Sequence, residues 1–293
     1  MLRVTEGSTN RATLAGLQLD SSRLAALQEQ MSSGRQITKP SDDPTGTVTA
    51  LELRSQLKQQ TQFQANSADA LGWLTTVDSS YNSISSQLQQ VRSLVLQGMN
   101  TGTNNATSNE ALAQQVDQAR ASLLSLANSS YLGRPVFGGT TAGSQAFDST
   151  GAYVGDTGTV TRTVGPSTAV DLNTPGTTAF GPNGSNLFDL LSDISNNLRT
   201  NPSALGGDLS QLDTRRVAIT NDQALAGAKY QRIQSVQTAS SSNTIQLKSQ
   251  LSDLQDIDLA DTIVQVTSAN VAYQAALATT AKISQISLMD FLR

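Results

Sequence analysis

The 293-residue chain contains neither cysteine nor histidine. Without cysteine there is no disulfide, no thiolate metal ligand and no thiol nucleophile. Without histidine it also lacks the usual zinc or copper ligand, the base of a Ser-His-Asp triad and the commonest general base. Charge is scarce as well: Asp, Glu, Lys and Arg make up 14% of residues, against about a quarter in ordinary globular chains. Aromatic residues are 4% and the net charge is −4. With scattered basic residues and few rings to stack on, neither a phosphate-binding stripe nor a base-stacking platform is present, so no nucleic acid is expected as a partner. No apolar run is long enough for a membrane span. The start, Met1-Leu2-Arg3-Val4-Thr5-Glu6, lacks the apolar core of a cleavable signal peptide. The surface left over is mostly Ser, Thr, Gln and Asn. It carries little charge to keep like molecules apart and suits self-packing or partner contact.

What the chain does have is a narrow helical stripe. Leu74, Val77, Tyr81, Ile84, Leu88, Val91 and Val95 follow one another at alternating steps of three and four, the spacing of a coiled-coil seam. Between Leu74 and Gly98 the only apolar residues off that line are Leu94 and Leu96. The register extends back through Ala70, Ser67 and Phe63. One narrow stripe on a polar background predicts one narrow contact with another helix.

Taken in order, Leu14, Leu17, Leu24, Leu27 and Met31 predict an amphipathic helix over about 10–33. It ends at Ser32-Ser33-Gly34. In the turn that follows, Asp43 is suited to cap a helix with Pro44 at its first position. That helix has no proline to interrupt it and runs into the stripe, with Gly72 expected to mark a bend. Thr107 and Glu110 have the spacing of a capping box, and Leu112, Val116, Ala119, Leu123 and Leu126 form a second stripe. Between Gly133 and Gly207 glycine, proline, Thr and Ser become abundant, and runs such as Tyr153-Val154 and 160–164 predict short strands. A short helix is expected over 186–200. From Leu209 on there is no proline, and Leu212, Ile219, Ala226, Ile233, Ser240, Leu247 and Leu254 recur every seven residues. Asp258, with Asp261 three residues on, opens a last helix striped by Ile263, Val266, Tyr273 and Leu277.

The expected fold class is therefore mainly α with a small β-rich insertion, built as an elongated antiparallel helical-bundle rod with both termini at one end. The segments read as an N-terminal assembly helix (1–44), a first rod part (45–140), a β-rich middle insertion (141–185), a second rod part (186–254) and a C-terminal assembly helix (255–293).

No constellation of residues calls for catalysis or for a cofactor. Asp42 and Asp43 are adjacent and sit where a helix start uses carboxylates. Asp256, Asp258 and Asp261 lack the central glycine and bidentate glutamate of a calcium loop. Gly138-Gly139 is followed by no Gly-Lys-Ser or Gly-Lys-Thr, so no phosphate loop is read there. Carboxylates can act without histidine, so a glycan-acting enzyme using Asp148, Asp156 or Asp171 is the alternative of a different class.

Several stretches resemble the flagellin superfamily of bacterial flagella. Residues 31–37 (Met-Ser-Ser-Gly-Arg-Gln-Ile), followed by Pro40-Ser41-Asp42-Asp43-Pro44, are similar to its N-terminal signature. Asp258-Leu259-Ala260-Asp261 is similar to the start of its C-terminal helix. Phe137-Gly138-Gly139-Thr140 and the ending Ser287-Leu288-Met289-Asp290-Phe291-Leu292 resemble the branch that joins hook to filament. The resemblance implies a non-enzymatic structural subunit without cofactor or metal, exported through the flagellar apparatus without signal cleavage and located outside the cell in the flagellum. The partners it implies are the other hook-filament junction protein, flagellin, further copies of itself in a ring, and an export chaperone. A flagellin-type filament subunit is the nearest alternative. On this reading Leu17, Leu24, Leu27, Met31, Ile263, Val266, Tyr273, Leu277, Leu288, Phe291 and Leu292 form the assembly interface. The stripe from Leu74 to Val95 is the intrachain seam.

Overall fold

A computed structural model describes residues 6–100 and 105–291, with side-chain environments for 11–100 and 105–282. The chain divides into two compact units, residues 60–242 and residues 1–59 with 243–293. Helices dominate both: α1 (Glu6–Ser33), α2 (Pro44–Gly98), α3 (Ala106–Ala127), α4 (Gly176–Ala179), α5 (Leu187–Thr200), α6 (Leu205–Gln255) and α7 (Leu259–Phe291). The strands are short: β1 (Ser130–Tyr131) pairs with β2 (Arg134–Pro135), and β3 (Thr161–Gly165) with β4 (Thr168–Asp171), both antiparallel.

Capping chemistry sets most boundaries. Gly34 adopts φ +68° and its N–H donates to the Gln30 carbonyl at 2.8 Å, closing α1 with a left-handed residue that glycine tolerates best. The Asp43 carboxylate accepts the Gly46 N–H at 2.9 Å, with Pro44 first in α2. Asp258 accepts the N–H groups of Ala260 and Asp261 at 2.9 and 3.2 Å. For α3 the expected box of Thr107 and Glu110 does not form. Asn105, extended at φ −112°, is the cap and accepts the Ser108 N–H. The Glu110 carboxylate is drawn instead to Arg199 on α5, at 2.9 Å. With the helix starting at Ala106, Thr107 lies inside it and is not the cap.

The larger unit holds a continuous core. Its seam residues Leu74, Val77, Tyr81, Ile84, Leu88, Val91 and Val95 are all buried, as are Leu112, Val116 and Leu123 of α3 and Leu212, Ile219 and Ile233 of α6. Polar pairs lock the α2–α6 line: Arg92 with Asp213 at 2.9 Å, Gln223 with Asp78 and Asn82, both at 3.0 Å, and the Ser240 hydroxyl to Gln60 at 2.7 Å. The polar residues at Gln223 and Ser240 thus specify register where a purely apolar seam would slide. Gly72 lies within the continuous helix α2. A Cβ there would lie 2.5 Å from the Tyr131 hydroxyl oxygen, so the glycine serves to let the Tyr131 ring lie on the helix, edge-on to Trp73 at 6.0 Å.

The glycine-rich middle shares this core. Phe147, Phe180 and Phe188 stack with Phe137 and Tyr81 in a chain of edge-on and stacked rings with centroids 5.0 to 5.8 Å apart. Val160, Val164, Val170 and Leu172 are buried with them. Helix side chains then bond the loop carbonyls. Arg120 donates to the Phe188 and Thr150 carbonyls and Arg215 to that of Ser185 at 2.6 Å. Asn66 donates to that of Thr163 at 2.7 Å.

The smaller unit pairs α1 with α7 and includes the first turns of α2 and the last of α6. Among its described residues, the buried apolar ones are Leu27, Ala50, Leu53 and Leu247.

Candidate assembly interface

The residues expected to mediate assembly lie on α1 and α7, and the smaller unit brings these two helices together. A two-residue antiparallel bridge joins them where α1 leaves and α7 begins. Arg35 pairs with Asp256, the Gln36 N–H donates to the Gln255 carbonyl at 2.7 Å, and the Ile257 N–H to that of Gly34 at 3.2 Å. Arg54 reaches the buried Gln255 side chain at 2.9 Å, and Gln30 bonds the Gln36 carbonyl at 3.0 Å. Lys39 and Glu29 add an exposed ion pair at 2.8 Å, the kind that contributes little in water. The bridge fixes the antiparallel register, and an open groove follows between Asp20 and Arg23 on one side and Val264, Gln265, Ser268 and Ala272 on the other.

Of the expected interface residues, Leu27 is buried. Leu17, Leu24, Val266 and Tyr273 are half-buried, and Met31, Ile263 and Leu277 are exposed. Leu292 and the side chains of Leu288 and Phe291 lie outside the described residues. Sequence reasoning missed further exposed apolar residues of this unit: Leu19 at 72%, Val264 at 66% and Val271 at 63%. They fall off the three-four stripe, so periodicity alone does not find them. Within the described part of this unit, apolar side chains facing water far outnumber those shielded from it, and exposed apolar area of this kind marks interaction surface.

The carboxylates considered for catalysis or metal binding are engaged in local structure. Asp148 accepts from the Thr150 side chain and the Ala152 N–H, which hold its carboxyl below the usual range. The backbone N–H groups of Thr140 and Gly158, with the Thr140 hydroxyl, do the same for Asp156. Asp171 accepts the Thr161 hydroxyl at 2.7 Å. Asp42 accepts from Lys39 and Thr38, which likewise lower its pKa. Among the described residues no group of three Asp, Glu, His or Cys side chains is placed to hold a metal ion, and no helix is long and apolar enough to cross a membrane.

Phe137-Gly138-Gly139-Thr140 has a structural reason for each residue. The Phe137 ring fills the core while its carbonyl accepts from the Gly176 N–H and the Tyr153 hydroxyl. The Gly138 carbonyl accepts the Asp156 N–H at 3.1 Å. Gly139, at φ +72°, leaves room for the Asp156 backbone, which a Cβ would strike. Thr140 completes the latch on the Asp156 carboxylate.

Two family models match: the bacterial flagellin N-terminal helical region over residues 7–142 and the bacterial flagellin C-terminal helical region over 209–292. The chain belongs to the bacterial flagellin family. This is a family of structural proteins, not of enzymes. The resemblance noted in the sequence therefore stands, and the matched regions contain both helices of the smaller unit. Within the family, the chain is 24% identical to flagellar hook-associated protein 3 of Salmonella typhimurium, across 100% of both chains. It is 23% identical to flagellin of Bacillus subtilis, across 97% of both. Its fold is similar to that of the flagellar junction protein FlgL from Legionella pneumophila, with a TM-score of 0.60 at 13% identity, covering 71% of this chain and 99% of that one.

Proposed function

We propose that this chain is a structural subunit of the hook-filament junction in the bacterial flagellum, of the hook-associated protein 3 type. The observation that carries this reading is the full-length match to hook-associated protein 3, in a chain whose terminal helices leave Leu14, Leu19, Met31, Ile263, Val264, Val271 and Leu277 exposed. On this proposal the larger unit is the stable body, and α1 and α7 are the working ends whose exposed faces neighbouring subunits cover. The neighbours are the other junction protein on one side, flagellin on the other and further copies in a ring. The chain leaves the cell through the flagellar export apparatus without signal cleavage, accompanied beforehand by an export chaperone. Deleting the gene tests the role: flagellin should be shed into the medium while hooks stay intact.

The match to Bacillus subtilis flagellin over 97% of both chains favours one second reading, a filament subunit. In that case the purified chain should grow long filaments when seeded, and its deletion should leave no shed flagellin.

A further inference from the structure

The hairpin of β1 and β2 turns on Leu132-Gly133, with Tyr131 opposite Arg134. Leu132 has φ +50° and Gly133 φ +79°, the two left-handed residues of a type I′ turn, a position that favours Asn-Gly. Leu132 is the only residue other than glycine with positive φ among the described residues, and it is 81% exposed. A large apolar side chain thus occupies a strained position in which it touches almost nothing of its own chain. Local folding offers no reason for it, since asparagine would hold the turn with less strain and no exposed apolar surface. Arg134 stands beside it, exposed, and its charge helps to lower the pKa of Asp156 on its own chain.

The same unit carries a groove of about 320 Å³ between α2 and α6, lined by Thr75, Asp78, Gly227, Tyr230 and Gln231, with the buried Leu74 and Ala226 beneath them. The hairpin sits on the Gly72 and Trp73 side of α2 through Tyr131. The groove begins at Leu74, so knob and groove lie at one level of the helix but on different faces. A protrusion and a recess on different faces of one molecule, at one level, make a head-to-tail contact that closes into a ring when the rotation permits.

We propose that Leu132 of one copy inserts into the Leu74–Ala226–Tyr230 groove of the next copy, with Arg134 meeting Asp78 across the contact. The occupant is a second copy of this chain because apolar knob and positive charge on one face match apolar floor and negative charge on the other. The inference rests on the junction reading for its setting, since a ring of copies is what that reading requires.

The absence of native cysteine makes the test clean. Flagella are isolated from cells producing a mixture of Leu132→Cys and Thr75→Cys chains and oxidised mildly. The contact predicts a disulfide-linked dimer in the mixture and none with either variant alone. Oxidised flagella that contain both variants but no mixed dimer overturn it, as does a dimer of Leu132→Cys with itself. If the chain is absent from flagella, the junction reading fails, and the same oxidation of concentrated, purified full-length chain decides the contact, absence of the mixed dimer again overturning it. Leu132→Asn separates docking from folding: its melting temperature should equal or exceed that of the parent while its incorporation falls severalfold. Parent-level incorporation would overturn the proposal. Arg134→Glu, at an exposed residue, should weaken incorporation severalfold, and parent-level incorporation counts against its part in the contact.

Discussion

The two units use one sequence pattern to opposite ends. In residues 60–242 the three-four stripe of α2 is covered on every side, by α3, α6 and the glycine-rich middle, and the aromatic rings of Tyr81, Phe137, Phe147, Phe180 and Phe188 close over it. In the unit built from α1 and α7 the same spacing leaves Met31, Ile263 and Leu277 exposed. A heptad-like stripe says that a helix has a partner. It does not say whether that partner is on the same chain. The difference lies in how many layers of chain lie over the stripe, and the smaller unit has one layer where the larger has several.

The harshest way to break the contrast is to remove the covering layer. Replacing residues 141–185 by a short linker takes away Phe147, Val160, Val164, Val170, Leu172 and Phe180. A calorimetric scan should then lose the cooperative transition of the larger unit, since replacing even one such phenylalanine by alanine costs about 3–5 kcal/mol. A surviving sharp transition would mean that the middle is an appendage. Next in size is a matched pair of substitutions. Leu88→Asp places a carboxylate where the native side chain is 0% exposed and should destabilise by roughly 4 kcal/mol or more. Leu277→Asp, at a site 44% exposed, should shift the monomer by about 0.5 kcal/mol or less while lowering incorporation into flagella. Equal thermal shifts for the two would erase the distinction between seam and interface.

A smaller effect is tied to pH. Asp222, buried on α6, has its pKa raised by desolvation, with Lys229 opposing the shift. A raised folded-state pKa contributes stability that is fully present below the ordinary value of 3.8 and is lost as pH rises through the folded-state value. Asp222→Asn should therefore raise the melting temperature at pH 7 and leave it nearly unchanged at pH 3. A gain that is the same at both values would point to a packing effect instead. The smallest pair compares glycines. Gly16 in α1 has nothing within 4 Å of where a Cβ would stand, so Gly16→Ala should stabilise its helix by up to about 1 kcal/mol. Gly72→Ala has the same propensity gain available but meets Tyr131, and the melt should show a net loss.

Much of the architecture was legible in the residues because it rests on local rules. Helix starts at Asp43–Pro44, Asn186 and Asp258, the stop at Gly34 and the long stripes of α2 and α6 all follow from spacing and capping within a few residues. What stayed hidden depends on neighbours distant in sequence. Asn105 caps α3 earlier than Thr107 would, and Glu110 meets a partner 89 residues away. The β1–β2 hairpin carries no Asn-Gly signal, because Leu132 stands where the turn wants asparagine. The arginines that bond loop carbonyls leave no periodic trace at all. On α1 and α7 the stripe does not point to the exposed Leu19, Val264 and Val271, since exposure is decided by what is absent from the fold, and a period describes only what is repeated.

The bonds that lock α2 to α6 span 121 residues at Arg92–Asp213, 145 at Gln223–Asp78 and 180 at Ser240–Gln60. Helix growth takes nanoseconds per residue, but contacts this non-local must wait for loop closure, which governs the folding rate of such topologies. A chain emerging from either end therefore carries half a zipper until nearly all of it has appeared. Its slow step is the meeting of the two strips, and anything that holds one strip apart in the meantime controls when the body of the molecule comes into being.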